Sequence, residues 1–130
     1  MGSVVQVEYD HGINEPAPRV WCELANPSTS SSKSDISLFL DTGAGFCALE
    51  EAIIRELEPV MRGFENVEWK DYSGLTQIFA VQITLQGDSK GLVGRAVIHP
   101  YGRNNLGRDI INQYTLNLNG PEFTGTMCRD

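Results

Sequence analysis

Ile36-Ser37-Leu38-Phe39-Leu40-Asp41-Thr42-Gly43-Ala44-Gly45 is the stretch on which the reading of this chain turns. Ile36, Leu38 and Leu40 alternate with Phe39 on the opposite face, the period of two expected of a half-buried strand. The strand runs straight into Asp41-Thr42-Gly43, so a carboxylate stands at the end of buried backbone. The same alternation extends outward. Val20, Cys22 and Leu24 alternate with Arg19, Trp21 and Glu23, giving a strand over Arg19 to Ala25, followed by a polar loop over Asn26 to Ser34. Val67 and Trp69, then Phe79, Val81, Ile83 and Leu85, flank Asp71-Tyr72-Ser73-Gly74-Leu75-Thr76, which reads as a β-hairpin with the Ser-Gly turn at its tip. Leu92 to Ile98, Tyr114 to Leu118 and Phe123 to Met127 read as further strands. Only Leu49, Ile53, Ile54, Leu57 and Met61 recur at helical spacing, predicting one main helix over Leu49 to Met61. Leu106 to Asn112 allows a short helical turn with Asp109 as N-cap. The sum is an all-β chain, mainly β with one main helix.

The chain has 130 residues, about one domain at ~100 to 200 residues each. Residues 19–130 are read as that single domain, and residues 1–18, with Asp10, Gly12, Asn14, Pro16 and Pro18, as an N-terminal arm. The net charge of -7 has the wrong sign for gripping phosphate backbones, so no nucleic-acid partner is expected. No apolar run reaches the ~18 residues of a membrane span, and the N-terminus shows neither a basic nor a hydrophobic leader region, so no membrane is expected either. Cys22, Cys47 and Cys128 are an odd set at wide spacing, which indicates neither a zinc site nor a disulfide framework and fits a reduced, cytoplasmic chain. His11 and His99 lie in no metal-binding pattern, and His99, beside Pro100 and Tyr101, reads as a loop residue. No metal or cofactor is expected.

Asp41-Thr42-Gly43 after an apolar strand, Ala44 after it, a hairpin in mid-chain, and Leu106-Gly107-Arg108-Asp109 leading into the last strands together resemble the retropepsin-like aspartic protease family over roughly Arg19 to Met127. The resemblance implies a closed β-barrel acid protease fold working as a homodimer. Hydrolysing a peptide without metal or nucleophile takes an acid and a base on either side of one water. Two carboxylates about 3 Å apart cannot both ionise, so such a pair shares one proton and supplies both roles. One Asp-Thr-Gly and 130 residues leave no room for a second lobe, so the second carboxylate would come from a second copy related by a two-fold axis. Asp41, Thr42 and Gly43 are then the catalytic residues. Thr42 would hydrogen-bond across the pair, and Gly43 would let backbone lie close to substrate. Ala44 would line the site, and Tyr72, Ser73, Gly74 and Leu75 would form the tip of a flap closing over an extended polypeptide substrate. Phe46, Leu75, Ile78 and Val97 are the expected pocket walls.

Two departures stand out. Asn105 occupies one of the apolar positions before Gly107, and Gly45 stands where viral members carry an acidic residue that pairs with the arginine of the Gly-Arg turn. Arg108 would therefore turn to Asp109 or to a carboxylate of the other copy. With a helix longer than the viral enzymes need, this favours a cellular, bacterial or retroelement branch. The function implied is an aspartic endopeptidase. The alternatives are an inactive dimeric module that holds peptides on the same fold, and a lone acidic barrel scaffold.

Overall fold

The computed structural model describes residues 2–130. Its strands are β1 (Ser3–Asp10), β2 (Ala17–Ala25), β3 (Ser32–Leu40), β4 (Cys47–Leu49), β5 (Met61–Trp69), β6 (Tyr72–Leu85), β7 (Leu92–Ile98), β8 (Asn105–Leu106), β9 (Thr115–Asn119) and β10 (Thr124–Arg129). Two helices interrupt them, α1 (Glu51–Leu57) and α2 (Arg108–Ile111). One sheet runs β5-β6-β7-β4-β8-β3-β2-β1-β10-β9, and a further pairing of β6 with β2 joins it back on itself. The strands β2, β6, β7, β4, β8 and β3 thereby close into a barrel, leaving β5 as an outer arm on one side and β1, β10 and β9 on the other. Alternation in the sequence is alternation of burial: Val20, Leu24, Leu38, Val81 and Ile83 point inward and are almost wholly buried. The fold is the expected one, mainly β and barrel-like.

Four local expectations are corrected. The segment read as an arm is largely strand: β1 pairs with β10 from Ser3 opposite Arg129 to Glu8 opposite Thr124, and Val5 and Val7 enter the core. The helix is shorter than Leu49 to Met61, because Leu49 belongs to β4 and Met61 to β5. Glu58 ends it in the left-handed region (φ 48°) ahead of Pro59, which could not continue the helix in any case. Buried Asn26 receives that end, its Nδ2 donating to the carbonyls of Leu57 (3.1 Å) and Glu58 (3.0 Å). The hairpin turns at Lys70-Asp71, since Trp69 is paired with Tyr72, so Tyr72 to Leu75 lie on the returning strand. Asp109 does not cap α2, which starts from Gly107 without a side-chain cap. Its Oδ2 instead accepts the Arg95 amide at 2.8 Å.

A buried carboxylate fastens the strands outside the barrel. Asp88, in the β6–β7 turn, accepts hydrogen bonds from the Ser3 hydroxyl, the Lys90 amide, the Tyr114 hydroxyl (2.7 Å) and the Arg129 guanidinium. Burial alone would raise its pKa. The Arg129 pair and the other donors outweigh that and hold it well below the usual carboxylate range. Tyr114 is correspondingly pushed up to about 12, by burial first and then by its bond to Asp88. No helix among the described residues is long and apolar enough to cross a membrane.

Candidate active site

Asp41 sits where β3 leaves the barrel, and the backbone around it is pinned from both sides. Its amide donates to the Leu106 carbonyl (3.0 Å), and Phe39 donates to Asn104 (3.0 Å), so β8 holds β3 to its last residue. The side chain turns back on its own loop: Oδ1 accepts the Gly43 amide at 3.1 Å, and the Ala44 amide closes the turn on the Asp41 carbonyl at 3.2 Å. This is an Asx turn, which aspartate followed by a small flexible residue forms readily. Asp41 is half-buried, while Thr42 and Gly43 are exposed.

The Gly-Arg segment buttresses this loop. The Arg108 amide donates to the Ala44 carbonyl at 2.8 Å, and its guanidinium donates to the Thr42 carbonyl at 2.9 Å. Within this chain Arg108 therefore takes backbone carbonyls, where a carboxylate such as Asp109 was expected. Gly45 lies alongside, a Cβ there being at an ordinary contact distance of 3.7 Å from the guanidinium. Beneath, the Gly107 amide donates to Cys47 Sγ at 3.3 Å, and any Cβ on Gly107 would run into the Phe46 carbonyl. Gly107→Ala should cost about 1–3 kcal/mol, the scale of forced overpacking, and push Arg108 off the Asp41 loop. A lowered urea midpoint checks it; an unchanged one would mean the two backbones can part freely.

Above the loop lies the hairpin β5–β6. Val67 and Trp69 turn down and pack on a small second core of Ala48, Ile78 and Val97, with Phe46 at its side. Trp69 also lies against His99, ring centres 4.6 Å apart. His99 lies in the loop just after β7, as expected, and is buried there; its Nδ1 accepts the Tyr101 amide at 3.0 Å and its own amide donates to the Leu49 carbonyl. Burial, then the nearby Arg103 charge, lowers its pKa, against a smaller opposing pull from Asp41. The neutral imidazole is thereby favoured as the seat of the indole.

Between loop and hairpin is a cavity of about 360 Å³ in which Asp41, Gly43 and Ala44 meet Phe46, Val97 and the strand Asn66–Trp69. A larger hollow of about 730 Å³ lies between the two chain ends, open to solvent and away from Asp41; the smaller one is the relevant site because the carboxylate is in it. Of the expected walls, Phe46 and Val97 line it and Ile78 lies buried under it. Leu75 is 61% exposed and does not line it. Tyr72, Ser73 and Gly74 sit across the hairpin from Trp69, Glu68 and Val67. The residues the sequence reading missed are Asn66, Val67, Glu68 and Trp69, the outgoing strand of the hairpin. Val67 and Trp69 carried the alternation that could have identified them. Among the described residues no group of three or more histidine, cysteine, aspartate or glutamate side chains is placed to hold a metal ion.

No protein-family model matches this sequence, and no curated protein matches it. Solved structures do. A retropepsin-like aspartic protease from Rickettsia conorii superposes with a TM-score of 0.69 at 9% identity, covering 99% of this chain and 92% of that one. EIAV protease in complex with the inhibitor HBY-793 superposes with a TM-score of 0.58 at 19% identity, covering 74% of this chain and 86% of that one. Nearly the whole chain, including β1 and the β9–β10 pair, is thus accounted for by one architecture, and by its fold this protein is retropepsin-like.

Proposed function

We propose that the chain is an aspartic endopeptidase, active as a homodimer, that hydrolyses peptide bonds in extended polypeptides. The observation that carries this reading is the placement of Asp41 at the end of a barrel strand, inside a cavity roofed by a hairpin. One protomer holds one such carboxylate; two adjoining ones, sharing a proton, would do the chemistry. The ionised Asp41 takes a proton from water as the water attacks the scissile carbonyl, and the protonated Asp41 of the other copy donates to the carbonyl oxygen. The proton then passes to the departing amine. Thr42 bridges the two loops, Gly43 and Ala44 admit the substrate backbone, and the hairpin covers it through its outgoing strand Asn66–Trp69, with Tyr72, Ser73 and Gly74 behind on the returning strand. No cofactor is called on. The buried thiols of Cys22 and Cys47 and the half-buried Cys128 are all free, in keeping with a cytoplasmic location.

Hydrolysis of an unstructured protein, with and without a statine-type inhibitor, tests the reading. Activity per mole of chain should rise with concentration through the dimerisation range. Binding of the peptide without cleavage at any concentration or pH would instead identify a peptide-holding module.

A further inference from the structure

Asp41 is a wall of two cavities, and they differ in chemistry. The one already described is lined by apolar Phe46, Val67, Trp69 and Val97, with Glu68 as its other acid. The second, of about 250 Å³, shares only Asp41 with the first. It lies between Ile13 of the β1–β2 turn, Phe39 and Leu40 of the strand that carries Asp41, and Arg103 and Asn105 of the segment that enters β8.

The two polar residues facing Asp41 across this second cavity are unpartnered. Among the described residues the Arg103 guanidinium forms no ion pair: Glu8 and Asp10 of the β1–β2 hairpin sit with Arg19, and neither Glu15 nor Asp41 comes within pairing distance. Neither Arg103 nor Asn105 uses its side chain in a hydrogen bond, whereas Asn104 between them is fastened to Glu50 by bonds of 2.7 and 2.9 Å, and its carbonyl accepts the Phe39 amide. On the other flank Gly102 (φ 73°) closes a turn on the His99 carbonyl at 3.2 Å. The backbone under Arg103 is therefore fixed on both sides while the donors beside it are left over. His99 feels the Arg103 cation and the Asp41 carboxylate in opposite senses, so both charges act on one ring. Asn105 is the residue that breaks the apolar pattern before Gly107, and its place on this wall gives that departure a use.

We propose that Arg103 and Asn105 select a glutamate or aspartate side chain at a substrate residue flanking the scissile bond, while the first cavity takes an apolar one. The proposal rests on the protease reading, because Asp41 is what ties both cavities to the scissile bond. In an extended peptide successive side chains leave on opposite sides, about 3.3 Å apart along the chain, so one peptide lying across Asp41 can fill both. A chain of net charge -7 repels acidic peptides as a whole, and a cation without a partner beside the site reverses that locally. The guanidinium fork meets a carboxylate with two parallel hydrogen bonds, and the Asn105 amide offers another donor alongside.

Short extended peptides, apolar except for one central Glu, Gln or Lys, test this at about pH 6, where a glutamate side chain is ionised. The unaltered protein should cut the Glu peptide beside that residue with a kcat/KM about tenfold above the Gln peptide, the scale of a charge-assisted hydrogen bond. Arg103→Gln should bring the two rates together. Arg103→Glu should prefer the Lys peptide to the Glu peptide, an inversion that a misfolded variant could not produce. Equal rates on Glu and Gln peptides in the unaltered protein, or a Glu preference that survives Arg103→Glu, would overturn the proposal and leave the protease reading standing. If no peptide is cut, the protease reading fails, and fluorescence anisotropy on the same labelled peptides decides the rest. Tighter binding of the Glu peptide, inverted by Arg103→Glu, then upholds the selectivity of the cavity; equal binding overturns it.

Discussion

Asp41→Asn should yield a folded protein in which peptide cleavage has fallen by about 10²–10⁴-fold or more, the range associated with loss of a general acid or base. The substitution removes the proton chemistry and little else. An asparagine Oδ1 can still accept the Gly43 amide, and the bonds from the Asp41 amide to Leu106 and from the Ala44 amide to the Asp41 carbonyl involve backbone only. Melting temperature should therefore move by no more than a few degrees, roughly the effect of 1 kcal/mol in a domain of this size. Because every dimer carries two copies of position 41, the homodimeric variant loses acid and base together. Turnover surviving in a pure preparation would sink the assignment. A large drop in melting temperature would mean that the carboxylate is there to hold the loop.

Asp88→Ala should cost about 3–5 kcal/mol, the scale for breaking a buried ion pair from one side. The Asp88 side chain is 1% exposed and that of Arg129 16%, so little water can replace the lost partner. The cut would leave the Arg129 guanidinium, the Tyr114 hydroxyl and the Ser3 hydroxyl without their common acceptor. Asp88→Asn should cost less, because an amide oxygen keeps some of these bonds without the charge. The same group gives the fold an acid limit. Its folded pKa is depressed, so below the ordinary carboxylate value the unfolded chain binds a proton that the folded chain refuses. The stabilisation is whole at neutral pH and is lost progressively as pH falls below about 4. Urea unfolding of the unaltered protein between pH 7 and pH 3 should show this decline and the Ala variant should lack it; parallel curves would assign the acid sensitivity elsewhere.

Much of the barrel could be read because its strands carry burial in alternate positions, as in β2 and β3. The Asp-Thr-Gly turn was legible for a related reason: a carboxylate directly after an apolar strand has few uses that ignore it. What escaped was set by tertiary contacts or masked by neighbours. β1 has its own alternation, Val5 and Val7 in, Gln6 and Glu8 out, but the glycine, asparagine and prolines that follow it outweighed so short a pattern. Met61 keeps helical spacing with Leu57, yet Pro59 stands between them and ends the helix, a stop signal present in the sequence itself. Ser73-Gly74 is the better turn pair in isolation, whereas packing of Val67 and Trp69 on Ala48, Ile78 and Val97 fixes the register that turns at Lys70-Asp71. The Asp88 cluster joins residues from both chain ends and two separate turns, so no local pattern announces it.

The pairing of Ser3 with Arg129 brings head and tail of the polypeptide to one corner of the molecule. Anything spliced onto either would depart on the same flank, so the unit can be housed as an insert within a host protein, or threaded twice in tandem, without its two junctions being pulled apart.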